Sequence, residues 1–102
     1  MVLFVVKGKG QPGTTEEFSR KWQEVYRRHF PTMTGFVQAY FSANQETDTW
    51  LAIAIWSAQP DETELNQAIG ELGGRIASII AGPPSAEWFE VLQQIAPTQE
   101  TV

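Results

Sequence analysis

A tryptophan that follows two alanines along one strand face offers this sequence its clearest chance of a site. Ala52, Ala54 and Trp56 fall at every second position, so a strand here puts all three on one side. A large ring beside two small residues can wall a cavity instead of filling a core. Plain packing against a helix or a partner subunit is the alternative. Gln38 and Tyr40 also share a strand face. They could hydrogen-bond a ligand, or simply each other in a buried network. His29 is the single histidine. It could carry a proton if a pocket reached it, and its place near a helix end suits a dipole-stabilised cation equally well.

Other chemistries lack their residues. There is no cysteine, which excludes disulfides and thiolate nucleophiles. One histidine and scattered carboxylates give no metal-ligand spacing, and no serine has a histidine near it in sequence. Gly8-Lys9-Gly10 lacks the Gly-Lys-Ser/Thr ending of a phosphate loop. Asn44 and Asp48 flank a hairpin, where turn chemistry accounts for both. The net charge is −5, against the clustered positive charge of nucleic-acid binding. The apolar run Val2 to Val6 is far short of the roughly 18 residues that span a bilayer. No metal, cofactor, nucleic acid or membrane is expected, and the cytoplasm is the default location.

The elements that must position these residues follow from periodicity. Val2 to Val6 is apolar on both faces and reads as a central strand. Gly8 to Gly13 breaks the pattern as a loop. Thr14, with Glu17 three residues on, has the spacing of a capping box. Phe18, Trp22, Val25, Tyr26 and Phe30 then recur at helical spacing until Pro31. Phe36 to Asn44 and Trp50 to Trp56 read as a hairpin. Leu65, Ile69, Leu72, Ile76 and Ile79 mark a second amphipathic helix, capped by Asp61 or Thr63. Glu87 to Ile95 closes as the last strand. The chain of 102 residues is expected to hold one domain over 1–95 and a tail over 96–102.

The order β-α-β-β-α-β predicts an α+β ferredoxin-like fold with an antiparallel sheet. Right-handed crossovers put both helices on one face. The second and third strands nevertheless carry apolar residues on both faces. Such a sheet needs a second cover, and the simplest is another copy in a homodimer.

The element order, the Gly35-Phe36 turn, the strand Leu51-Ala52-Ile53-Ala54-Ile55-Trp56-Ser57 and the exit Ala81-Gly82-Pro83-Pro84 resemble the antibiotic biosynthesis monooxygenase family. The resemblance covers residues 1–95. It implies a dimeric α+β barrel, and a cofactor-independent monooxygenase acting on a small aromatic or quinol substrate. It places Trp56 at the pocket wall. Arg75 falls where some relatives carry a substrate-facing arginine, although a helix-edge arginine in solvent is the alternative. Asn66 stands in the region where haem-degrading relatives have a histidine, so haem ligation is not expected and Asn66 joins the substrate-binding set. The polar partners that relatives place near the tryptophan are replaced here by apolar residues, around Val5 and Ala52. The expected site is therefore Trp56, Arg75 and His29 as catalytic groups, with Gln38, Tyr40 and Asn66 on the substrate. A non-catalytic ligand-binding module and a structural dimer with a filled barrel stay open.

Overall fold

Alternation along one strand sets the whole architecture. In β3 (Thr49–Trp56), Trp50, Ala52, Ala54 and Trp56 are buried, while Leu51, Ile53 and Ile55 between them are half-buried. The first set faces two helices, α1 (Thr15–His29) and α2 (Glu62–Ile76). The second set faces the other way. The computed structural model describes residues 1–98. β1 (Val2–Lys9), β2 (Phe36–Asn44), β3 and β4 (Ser85–Glu90) form one antiparallel sheet in the order β2-β3-β1-β4. A short 3-10 turn, Phe30–Thr32, links α1 toward β2. This is the expected α+β ferredoxin-like arrangement. Among the described residues, no helix is long and apolar enough to cross a membrane.

Three boundaries differ from expectation. β1 does not stop at Gly8 but runs on to Lys9, with Gly8 opposite Trp50. A Cβ on Gly8 would come within 2.9 Å of Trp50 Cζ2, so this glycine admits a ring instead of making a turn. β4 ends at Glu90 instead of Ile95, because Glu90 already pairs with Val2 at the start of β1. The Val91 N–H donates to the Met1 carbonyl, and Ile95 is 97% exposed. The tail expected at 96–102 lies partly outside the described residues. α2 ends at Ile76, although Ile79 is still buried.

Capping also splits. Asp61 caps α2, its Oδ1 accepting from the Thr63 N–H at 2.7 Å. The box at Thr14 does not form: at φ −101° and ψ 4° its side chain makes no cap hydrogen bond, and its hydroxyl donates to the Gln11 carbonyl at 2.6 Å. α1 and α2 are joined along their outer seam by Arg28–Glu71 at 2.7 Å and Arg75–Glu24 at 2.6 Å.

The sheet face away from the helices is uncovered among the described residues. Leu3, Val5, Ile53 and Ile55 make its centre by register. Tyr40, 52% exposed, and Phe89, 45% exposed, extend it to either side.

Candidate functional site

Helical spacing brings three aromatic rings of α1 over the middle of the sheet. Phe18, Trp22 and Tyr26 stand four residues apart, one above the other on the inward face. β3 offers Trp50 and the small Ala52 beneath them, and β1 offers Phe4 and Val6. Between these and Ile69, Leu72, Gly73 and Ile76 of α2 lies a cavity of about 250 Å³, bordered at one end by Pro84 and Ala86. Ala52 and Ala54 border a smaller recess that shares Trp22 and Tyr26. Gly73, Pro84 and Ala86 on its wall are all exposed, so the cavity reaches the surface beside them.

The walls pack as aromatic pairs. Phe18 and Trp50 have ring centroids 4.5 Å apart, and Trp22 meets Tyr26 edge-on at 5.4 Å. No charged side chain lines the space. The indole nitrogens of Trp22 and Trp50 are buried without a hydrogen-bond partner. Burial pushes the Tyr26 hydroxyl from 10.0 up to about 12. Tyr26 is thus neutral at physiological pH and not a phenolate base. The arrangement suits a flat, neutral, largely apolar molecule.

The Tyr26 shift makes stability depend on pH. The folded state holds the proton more tightly than the unfolded one, so the contribution is intact below pH 10 and is lost as pH rises toward 12. The advantage of wild type over Tyr26→Phe should therefore shrink by about 1 kcal/mol between pH 9 and pH 11. Urea titrations of both proteins at the two pH values measure it. A constant difference would show that the hydroxyl is not desolvated.

The six residues singled out in the sequence do not converge. Trp56 is fully buried between Phe30 (5.0 Å) and Phe36 (5.3 Å) and lines neither the cavity nor its recess. Of its two small neighbours, Ala52 borders the cavity further along the strand, while Ala54 borders only the recess of about 10 Å³. Arg75 lies on the outer seam, paired with Glu24. His29 lies on the same seam, its Nε2 3.5 Å from Glu71 Oε2. Asn66 is exposed on α2. Gln38 and Tyr40 hydrogen-bond each other and border an open groove of about 550 Å³ between α1 and β2. Trp22 and Tyr26 form the partition between that groove and the cavity. Trp22, Tyr26 and Trp50, the polar-tipped rings of the cavity, were not singled out. Their signal was present: Trp22 and Tyr26 sit on the helical stripe, and Trp50 shares the strand face of Ala52.

Fold and cavity together define a ferredoxin-like α+β domain with an aromatic pocket between sheet and helices. No protein-family model matches the sequence, and no curated protein matches it. In structure the chain is similar to a monooxygenase from ActVA-Orf6 of Streptomyces coelicolor, solved in complex with nanaomycin D. Identity is 20% over 95% of this chain and 92% of that one, with a TM-score of 0.73. It is also similar to a mutant of SnoaB, a cofactor-independent oxygenase from Streptomyces nogalater, at 18% identity, 92% and 95% coverage and a TM-score of 0.68. A conserved protein from Methanosarcina mazei shares the fold at 15% identity, 86% and 89% coverage and a TM-score of 0.66. At these identities the likeness establishes the fold.

Proposed function

We propose that this chain is a cofactor-independent monooxygenase that oxidises a small phenol or quinol in the cavity between sheet and helices. The observation that carries the reading is the cavity itself, with aromatic walls and no charged side chain. The fold shared with two oxygenases adds support.

The chemistry asks little of side chains, because the substrate supplies the electrons. The phenol passes its hydroxyl hydrogen atom to dioxygen, and the resulting radical pair recombines with a new carbon–oxygen bond para to the former hydroxyl. Loss of the ring proton and of water leaves a quinone, so that phenol plus O₂ gives quinone plus H₂O. The protein holds the ring and keeps bulk water out. Trp56 in this reading supports the sheet behind the site. Arg75, paired with Glu24, and His29, whose Nε2 has no hydrogen-bond partner, lie on the outer seam and take no step in this reading. The uncovered sheet face supports a homodimer as the working form.

Oxygen uptake tests the proposal. A panel of one- and two-ring phenols and hydroquinones is incubated with the protein in chelator. Uptake above the uncatalysed rate, matched by quinone absorbance, is the expected result. Rates equal to background across the panel would overturn it; ligand binding without uptake would favour the non-catalytic binding module.

A further inference from the structure

We propose that the last two turns of α2, residues 70–76, are a door to the cavity that opens by local unwinding between two fixed ends. That cavity is the one read above as the oxygenase site, and the door governs how a molecule reaches it, whatever that molecule is.

α2 carries three glycines in its fifteen residues, Gly70, Gly73 and Gly74. All three are exposed, and a Cβ at any of them would meet nothing within 4 Å. None has a positive φ. Neither a close approach nor a turn calls for glycine at these places. Each nevertheless disfavours the helix about fivefold relative to alanine, as about 1 kcal/mol at an interior position converts. All three fall in the second half of the helix, which is thereby the weaker half.

The same half stands over empty space. Ile69, Leu72, Gly73 and Ile76 form the wall of the cavity of about 250 Å³. Side chains that face a void lack partner atoms on that side. On the outer seam Arg28–Glu71 and Arg75–Glu24 join α2 to α1, and the Lys21 Nζ donates to the Arg75 carbonyl at 3.0 Å. These groups are exposed, and exposed pairs hold weakly.

Both ends are fixed by other means. Asp61 caps the first turn, and Leu65 and Ala68 are buried in the core. Beyond the helix, Ile80 bridges to Gly10, the Gln11 N–H donates to the Ile79 carbonyl at 2.7 Å and the Ala81 N–H donates to the Lys9 carbonyl at 2.7 Å. Unwinding residues 70–76 between these points would widen the opening beside Gly73, Pro84 and Ala86 and leave the sheet and α1 in place. Leu72 and Ile76, both buried, draw the door shut again.

Native-state hydrogen exchange and ¹⁹F NMR of fluorobenzene, used as an apolar probe, test the door on the full chain. Amides of residues 70–76 should exchange by a local opening, while those of β3 exchange only with global unfolding. Gly70→Ala combined with Gly74→Ala strengthens the helix at two positions, neither of which borders the cavity. Exchange over residues 70–76 should then slow about 25-fold, fivefold for each alanine. Fluorobenzene should enter and leave the double variant more slowly by a similar factor, with its dissociation constant unchanged. Entry and exit at wild-type rates in that variant would overturn the door. So would amides of residues 70–76 as protected as those of β3, or a wild-type chain that never takes up the probe. Neither measurement depends on turnover. A chain that gates the probe but consumes no oxygen would refute the oxygenase and leave the door intact. Oxygen uptake together with probe rates that ignore the alanines would do the reverse.

Discussion

Replacing Trp56 with alanine is expected to remove about 3–5 kcal/mol of stability. The ring is fully buried and meets Phe30 edge-on at 86° and Phe36 at 66°. Such aromatic pairs add about 0.5–1.5 kcal/mol each beyond the area they bury. Truncation leaves a cavity at the end of β3, where Val2 and Phe36 on the flanking strands are fixed by their own hydrogen bonds and cannot close in. A small domain has roughly 5–15 kcal/mol in total, so the variant should sit near the edge of folding at 37 °C. Trp56→Phe should lose much less, since it keeps a ring and discards an indole nitrogen that has no partner. Urea denaturation followed by circular dichroism gives both values. An alanine variant that melts like wild type but no longer binds ligand would put Trp56 at the site and contradict its packing.

That contrast explains how far the sequence could be read. Periodicity reports which face of an element is buried, and it did so for β3 and α1. It does not report what stands opposite. Ala52 and Ala54 promised a void; Ala52 does border the cavity, but Ala54 borders only a recess of about 10 Å³. Whether the space lies toward Trp56 or toward Trp50 depends on where Phe30 and Phe36 fall, and that is a matter of strand order and helix placement. Phe30 and Phe36 fill the Trp56 end. Trp22 and Tyr26 then bound the space from above, four residues apart on a stripe that looked like ordinary core. Flanking positions were harder still. Arg75 and His29 lie at the helix edges, and spacing alone could not show that Glu24 and Glu71 of the facing helix would engage them. The glycines failed in the opposite direction. Gly8 was read as a breaker because its side chain is missing, yet that lack is what lets Trp50 pack across it.

Ile53→Asp should split the protein into monomers while leaving each chain folded. Ile53 lies at the middle of the uncovered face, opposite Val5 on one side and Tyr40 on the other. Leu3 and Ile55 form the next rung of the same face. A second copy packed sheet to sheet would bury all of these, and two-fold symmetry would bring each residue near its own mate. An aspartate there must then be buried without a cation, close to an identical aspartate. Removing a carboxylate from water without a partner costs several kcal/mol, and it is incurred twice. In the isolated chain the cost is small, because Ile53 is only half-buried and the new carboxylate can reach solvent. Sedimentation equilibrium at micromolar concentration should give twice the 11.4 kDa chain mass for wild type and the single mass for the variant. Circular dichroism should be the same for both. A wild-type monomer would show that the face is tolerated by one chain alone, and an Ile53→Asp dimer would move the interface elsewhere.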